Sequence, residues 1–198
     1  MATPTRWETE TPDDHSQWLI DHFRRLAADG ADLGGEARFV DAVIEPGASV
    51  LDAGCGTGRV AALLDRLGHA VVGVDADEQL IDVARVEHPS IEWILADLSE
   101  LNLVARDGAQ RQFDSAVLAG NVMPFIAPDT EVAVLRAVAH HVRDGGPIIV
   151  GFATDRGYSV DSFDRHIDAA QLHVDNRFST WDLRPFRADS DYVVTILR

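Results

Sequence analysis

"VLDAGCGTGRV", residues 50–60, decides how the rest of the chain is read. Val50 and Leu51 form an apolar run that ends in Asp52, and Gly54, Gly56 and Gly58 follow at alternate positions. Glycines permit a tight turn with positive φ and leave no Cβ between the main chain and a small ligand. A helix beginning at Thr57 or Gly58 would turn its free N–H groups toward an anionic group. The stretch therefore reads as strand, ligand-approaching turn and helix.

Downstream the alternation repeats. "AVVGVD" (70–75) reads as a second strand, followed by a helix from about Asp77 to Val86. "IEWILAD" (91–97) is the third strand, and "FDSAVLAG" (113–120) is the fourth, followed by a helix over 129–142. "GPIIVGF" (146–152) is the fifth, and "VDSFDRHIDAA" (160–170) is the next helix. "LHVDNRFSTWDL" (172–183) and "DYVVTILR" (191–198) are two closing strands joined only by a loop, so an antiparallel pair is expected. Strands one, two, four and five are short and rich in Val, Ile and Leu, as in strands covered on both faces. The alternation implies a doubly wound α/β sheet.

Upstream, residues 1–12 are polar, contain Pro4 and Pro12, and read as loosely ordered. "DDHSQWLIDHFRRLAADG" (13–30) places Trp18, Leu19, Phe23 and Leu26 at helical spacing, with Asp13 or Asp14 as cap and Gly30 at the end. "GGEARFVDAVIEPG" (34–47) gives a second short helix, stopped by Pro46 and Gly47. The expected organisation is one domain over 1–198, with a helical cap over 1–46 and a Rossmann-like core over 47–198.

Composition narrows the chemistry. With 198 residues and 46% apolar content the chain suits one globular core. Net charge is −16 and all 17 basic residues are Arg. A nucleic acid would be repelled, and no basic cluster offsets this. Without Lys, Schiff-base chemistry and lysine-based phosphate loops are excluded. Cys55, the single cysteine, can form neither an internal disulfide nor a cysteine metal site, and no metal is expected. No apolar run approaches the roughly 20 residues of a membrane span. The N-terminal stretch lacks a basic start and an apolar segment, so a cytoplasmic location is expected, with no membrane partner.

In an open α/β sheet the ligand sits at the carboxyl ends of the strands, where strand order reverses. Asp52, Asp75 and Asp97 are expected to close strands one, two and three. Asp75, roughly 20 residues beyond the loop, can accept from both hydroxyls of a ribose. Asp97 can accept from an adenine amino group while Leu98 donates its N–H to a ring nitrogen. The glycine spacing is G-x-G-x-G, not the G-x-G-x-x-G of dinucleotide sites. Asp52 would repel a pyrophosphate, but it suits a ligand carrying an ammonium and a sulfonium, as S-adenosylmethionine does.

These stretches resemble the class I S-adenosylmethionine-dependent methyltransferases, specifically the small single-domain bacterial kind. "VLDAGCGTGRV" is similar to that superfamily's first motif and "VVGVDAD" (71–77) to its second. "ADL" (96–98) is similar to its adenine-binding acid, "FDSAVLAGNVMPFI" (113–126) to its fourth-strand motif, and "GGPIIVGF" (145–152) to its entry into strand five. The resemblance covers about residues 36–198. It implies a seven-stranded sheet of order 3-2-1-4-5-7-6 with strand seven antiparallel and N-terminal helices as a lid. It also implies an S-adenosylmethionine site formed by Asp52, Ala53, Gly54, Gly56, Gly58, Asp75, Ala76, Asp97, Leu98, Ala119, Gly120 and Asn121. Arg38, on the helix before the glycine strand, is a candidate partner for the methionyl carboxylate.

Methyl transfer from a sulfonium needs alignment in a dry pocket more than a fixed catalytic group. Asn121 and His22 are the candidates for a direct role, with His15 two helical turns from His22 and Trp18 nearby. Trp7, Trp18 and Trp181 are candidate walls for an aromatic acceptor. Branches that methylate DNA adenine or glutamine follow their Asn or Asp with Pro-Pro and an aromatic residue. Here Asn121 is followed by Val122, Met123, Pro124 and Phe125, which argues against those substrates. The expected acceptor is an O, N or C atom of a small neutral or cationic molecule. Two alternatives stand: a nicotinamide-dependent oxidoreductase, and a non-catalytic module that binds S-adenosylmethionine.

Overall fold

Seven strands form one sheet in the computed structural model, which describes residues 3–198. They are β1 (Ser49–Ala53), β2 (Ala70–Asp75), β3 (Glu92–Leu95), β4 (Ser115–Leu118), β5 (Ile148–Ala153), β6 (Val174–Phe178) and β7 (Tyr192–Leu197). Their order is β3-β2-β1-β4-β5-β7-β6. β1 pairs in parallel with β2 and β4, while β7 runs antiparallel to both β5 and β6. Order and direction agree with the expectation. The order reverses between β1 and β4, which opens a crevice at the strand tips.

The central strands are apolar on both faces because helices cover both. Leu51, Val72, Val74, Leu118 and Val150 pack on one side with Val134, Leu135 and Phe163. Val50, Val71, Val117 and Ile149 pack on the other with Phe39, Leu64 and Ile81. Among the described residues eight helices flank the sheet or its tips: α1 (Arg6–Glu10), α2 (His15–Ala28), α3 (Gly35–Val43), α4 (Arg59–Arg66), α5 (Glu78–Glu87), α6 (Val122–Phe125), α7 (Glu131–His140) and α8 (Val160–Ala170). None of the described helices is long and apolar enough to cross a membrane.

Three local readings need correction. The expected loose segment 1–12 contains α1, and its first two residues lie outside the described ones. Thr5 and Glu8 form a reciprocal capping box: the Thr5 hydroxyl accepts from the Glu8 N–H at 3.2 Å, and the Glu8 carboxylate from the Thr5 N–H at 2.7 Å. Arg6 then fixes α1 to the end of α6 and the start of α7, its guanidinium donating to the buried Glu131 at 3.2 Å and to the Ile126 carbonyl at 3.3 Å. In α2, Asp14 holds the N-cap position, but its side chain makes no capping bond. β3 stops at Leu95, so Asp97 does not close a strand; it caps a 3-10 turn over Leu98–Glu100.

Candidate functional site

The crevice at the tips of β1, β2 and β4 is a cavity of about 970 Å³. The glycine turn that leaves β1 forms its floor, and its three glycines have different neighbours. Gly56 has φ +55°, and a Cβ there would meet nothing within 4 Å. Gly54 has φ +81°, and a Cβ would fall 2.4 Å from Val122. Gly58 has φ +81°, and a Cβ would fall 2.3 Å from the Trp93 ring. Gly56 therefore opens into the cavity, Gly54 admits α6, and Gly58 admits an indole. Gly54 and Gly56 line the cavity; Gly58 and the fully buried Ala53 do not, which corrects their expected placement at the ligand.

Asp75 and Asp97 open into this one cavity, together with Ala76 and Leu98. The Asp75 carboxylate accepts from the Gly56 N–H at 2.7 Å and the Asp77 N–H at 3.0 Å, so it is locked onto the glycine turn. Burial pushes its pKa up, and those two hydrogen bonds oppose the shift. Asp97 accepts from the Ser99 N–H at 2.8 Å. Asp52 lies deeper and accepts from the Ala61 N–H in the first turn of α4 at 3.0 Å. Burial pushes its carboxyl up to about 7, against that hydrogen bond and the field of Arg59.

At the tip of β4, Ala119, Gly120 and Asn121 also line the cavity. Gly120 has φ +77° and open space where a Cβ would stand. Asn121 adopts the left-handed conformation, with φ 71°. Its side-chain oxygen accepts from the Ala153 N–H at 2.7 Å, tying the tips of β4 and β5 together. The carbonyl of that side chain is therefore engaged, and its amide N–H groups remain for a ligand.

Arg38 is elsewhere. It forms an exposed pair with Asp32, at 2.9 and 2.6 Å, and does not line the cavity. The helix buries Ala37, Phe39 and Val40, which turns Arg38 outward. The guanidinium beside the glycine turn is that of Arg59, the residue directly after Gly58. It donates to the Leu33 carbonyl at 2.6 Å and to Glu36 at 3.0 Å, and lies 4.9 Å over the Phe23 ring. Its position at the end of the glycine stretch was the available signal.

The wall facing the strand tips comes from α1 and α2. His15, Trp18 and His22 line the cavity as a stacked column, with centroids 5.2 and 5.0 Å apart and planes within 16° and 7°. Trp7 meets His15 and Phe125 edge-on. Asp77 ties this wall to the sheet: its carboxylate caps α5 through the Leu80 N–H at 3.1 Å and accepts from Trp7 Nε1 at 2.8 Å and from the Ser16 hydroxyl. Trp181 and Tyr192 line the opposite rim, with Trp181 Nε1 donating to the Tyr192 hydroxyl at 3.3 Å. Burial pushes the Tyr192 phenol up to about 12. Apart from Asp77 as a helix start, sequence reading gave this wall's tie to the sheet no role.

Residues 50–146 match the family described as methyltransferase domain. The crystal structure of a TehB-like S-adenosylmethionine-dependent methyltransferase from Corynebacterium glutamicum is 36% identical, with a TM-score of 0.86 over 94% of this chain and 98% of that one. This chain belongs to the S-adenosylmethionine-dependent methyltransferases. The nicotinamide-dependent alternative falls with that finding. Among curated relatives, the trans-aconitate 2-methyltransferase of Azoarcus sp. strain BH72 is 34% identical over 54% of this chain. The magnesium-protoporphyrin O-methyltransferase of Rhodobacter capsulatus is 36% identical over 42% of it. The matches span only 40% and 36% of those two proteins' own lengths.

Proposed function

We propose that this methyltransferase binds S-adenosylmethionine across the tips of β1, β2 and β4. Its acceptor is then a small molecule held between those tips and the wall of α1 and α2. In this reading Asp75 accepts from the ribose hydroxyls, Asp97 and the Leu98 N–H take the adenine edge, and Gly54 and Gly56 let the methionyl part lie against main chain. Ala119 and Gly120 carbonyls face the sulfonium, and Asp52 attracts the ammonium. One observation carries the reading: Asp75 and Asp97 share a cavity with the unobstructed face of Gly56.

The residues fit such a ligand. Gly56 and Gly120 leave space where side chains would stand, and among the described residues the buried Asp52 has no counter-charge at hydrogen-bond distance. Bound S-adenosylmethionine supplies a methyl on a positively charged sulfur, so its leaving group needs no activation. What remains for the chain is to align two molecules and keep water out. The ring wall of Trp7, Trp18 and Phe125 does the second. At the upper end of the roughly 300–1,000 Å³ range of small-molecule sites, the cavity has room for donor and acceptor together.

Calorimetry with S-adenosylhomocysteine tests the placement. Saturable binding that Asp75→Ala weakens far more than Arg38→Ala is expected. Equal losses from the two variants would overturn the ribose assignment, and an absence of binding at millimolar ligand would overturn the site.

A further inference from the structure

We infer that the acceptor is a small amine that arrives as a cation on a planar or apolar body. The inference rests on the cofactor placement proposed above, and it comes from the half of the cavity that placement leaves open. That half is built of rings. The His15–Trp18–His22 column stands beside Trp7 and Phe125; the two imidazoles stack on Trp18 at centroid distances of 5.2 and 5.0 Å and leave the indole half exposed, so ring edges and the uncovered part of the indole form the wall. A cation beside an aromatic face is held by the ring quadrupole, most strongly by indole.

Charge points the same way. Eight carboxylates line the cavity against two guanidiniums, those of Arg59 and Arg156. Arg59 is paired with Glu36, Arg156 is an exposed neighbour of Asp155 at 3.7 Å, Asp32 is paired with Arg38 from outside the cavity, and burial keeps Asp52 only partly ionised near neutral pH, so the remaining carboxylates carry the balance. The donor brings one net positive charge, which leaves a clear negative excess. A cleft of one sign with low-dielectric walls concentrates ligands of the other sign and repels those of its own. A carboxylate acceptor would enter against that field, and an ammonium would enter with it.

An ammonium has no lone pair, so it must lose a proton before it can attack. Among the described residues, no hydrogen bond engages the ring nitrogens of His15 or His22, although both line the cavity. The acceptor's N–H bond breaks, its electron pair stays on nitrogen, and the proton passes to an imidazole of the column. The freed pair then forms the N–C bond as the C–S bond breaks, its electrons going to sulfur. The product leaves as a methylated ammonium, and the imidazolium returns its proton to solvent.

The test uses the full chain saturated with S-adenosylhomocysteine and two probes of similar body, benzyltrimethylammonium and 3-phenylpropionate. The cation is expected to bind about tenfold more tightly than the carboxylate, and added salt should narrow the gap. Trp18→Ala is expected to lower cation affinity several-fold and leave S-adenosylhomocysteine affinity nearly unchanged. Trp18 is half exposed, so this change leaves the fold intact. Equal or tighter binding of the carboxylate, or binding of neither probe to the S-adenosylhomocysteine complex, overturns the inference. Failure of S-adenosylhomocysteine itself to bind instead overturns the cofactor placement, so the two failures are distinct.

Discussion

Gly56 and Gly58 stand two residues apart with positive φ, yet the structure gives them opposite sensitivities. An alanine at either position enters the left-handed region at a cost of about 1–2 kcal/mol. At Gly56 there is no further cost, because the added Cβ meets nothing within 4 Å. At Gly58 the Cβ stands 2.3, 2.9 and 3.0 Å from three Trp93 ring atoms. That ring cannot retreat: its Nε1 donates to the His88 carbonyl at 2.9 Å, and its other edge already lies against Gly73. Overpacking of this kind adds about 1–3 kcal/mol, for a total of roughly 2–5 kcal/mol.

In a domain of this size 1 kcal/mol shifts the thermal midpoint by about 2–4 °C. Gly58→Ala is therefore expected to lower Tm by about 4–20 °C, and Gly56→Ala by only about 2–8 °C. Affinity should follow the reverse order. The new methyl of Gly56→Ala projects into the cavity, so Kd for S-adenosylhomocysteine should rise at least about tenfold, or about 1.4 kcal/mol. Gly58→Ala, assayed below its midpoint, should keep more of its affinity. Differential scanning calorimetry and titration calorimetry on both variants decide the matter. A Gly56→Ala protein that binds normally, or one that is less stable than Gly58→Ala, would refute the division of labour drawn from the turn.

Asp75→Asn should weaken S-adenosylhomocysteine about tenfold or more by titration calorimetry, since it removes a charge-assisted acceptor. Arg38→Ala, at an exposed pair, should change affinity less than about twofold. Asp77→Ala should lower stability by about 1 kcal/mol through the lost α5 cap and raise amide exchange across residues 5–28, whose indole and serine anchors it releases. The Asp52 carboxyl, raised to about 7 from 3.8, makes the folded chain hold a proton that the unfolded chain has shed. That contribution to stability is present below about pH 4 and is lost as pH rises through about 7. Asp52→Asn should therefore gain in Tm relative to the parent between about pH 5 and pH 8, and parallel pH profiles would refute the burial argument.

β2 and α8 fall on the residues their patterns gave, because Val and Ile runs and a 3.6-residue apolar spacing are set within one element. α1 is also legible: Thr5 and Glu8 have capping-box spacing, although the polar stretch between Pro4 and Pro12 carries no apolar periodicity. Arg38 shows a different failure. Its neighbours Ala37, Phe39 and Val40 fix which way α3 faces, so the apolar pattern already excluded Arg38 from the cavity. The role of Gly58 was not legible, because Trp93 lies on another strand, 35 positions along.

Those failures share a cause with the way the site is divided. In the proposed placement the donor half draws on Asp52 and 54–56, 75–76 and 119–121 at the tips of β1, β2 and β4, and on 97–98 in the turn just beyond β3. Parallel topology brings those tips together whatever the rest of the chain does. In the same reading the acceptor half is the part lined by α1, α2, α6 and the rim at Trp181 and Tyr192, held by long-range contacts such as Arg6 to Glu131 and Trp7 to Asp77. The family match covers residues 50–146 and so includes the donor half, but not α1, α2, Trp181 or Tyr192. The two curated relatives share parts of this chain while their names carry different acceptors, trans-aconitate and magnesium-protoporphyrin. Substrate choice in this protein is thus expected to respond to changes in α1 and α2 far more than to changes in the sheet. Exchanging Trp18 should alter which acceptor is bound, while exchanging Asp75 should alter whether the donor is.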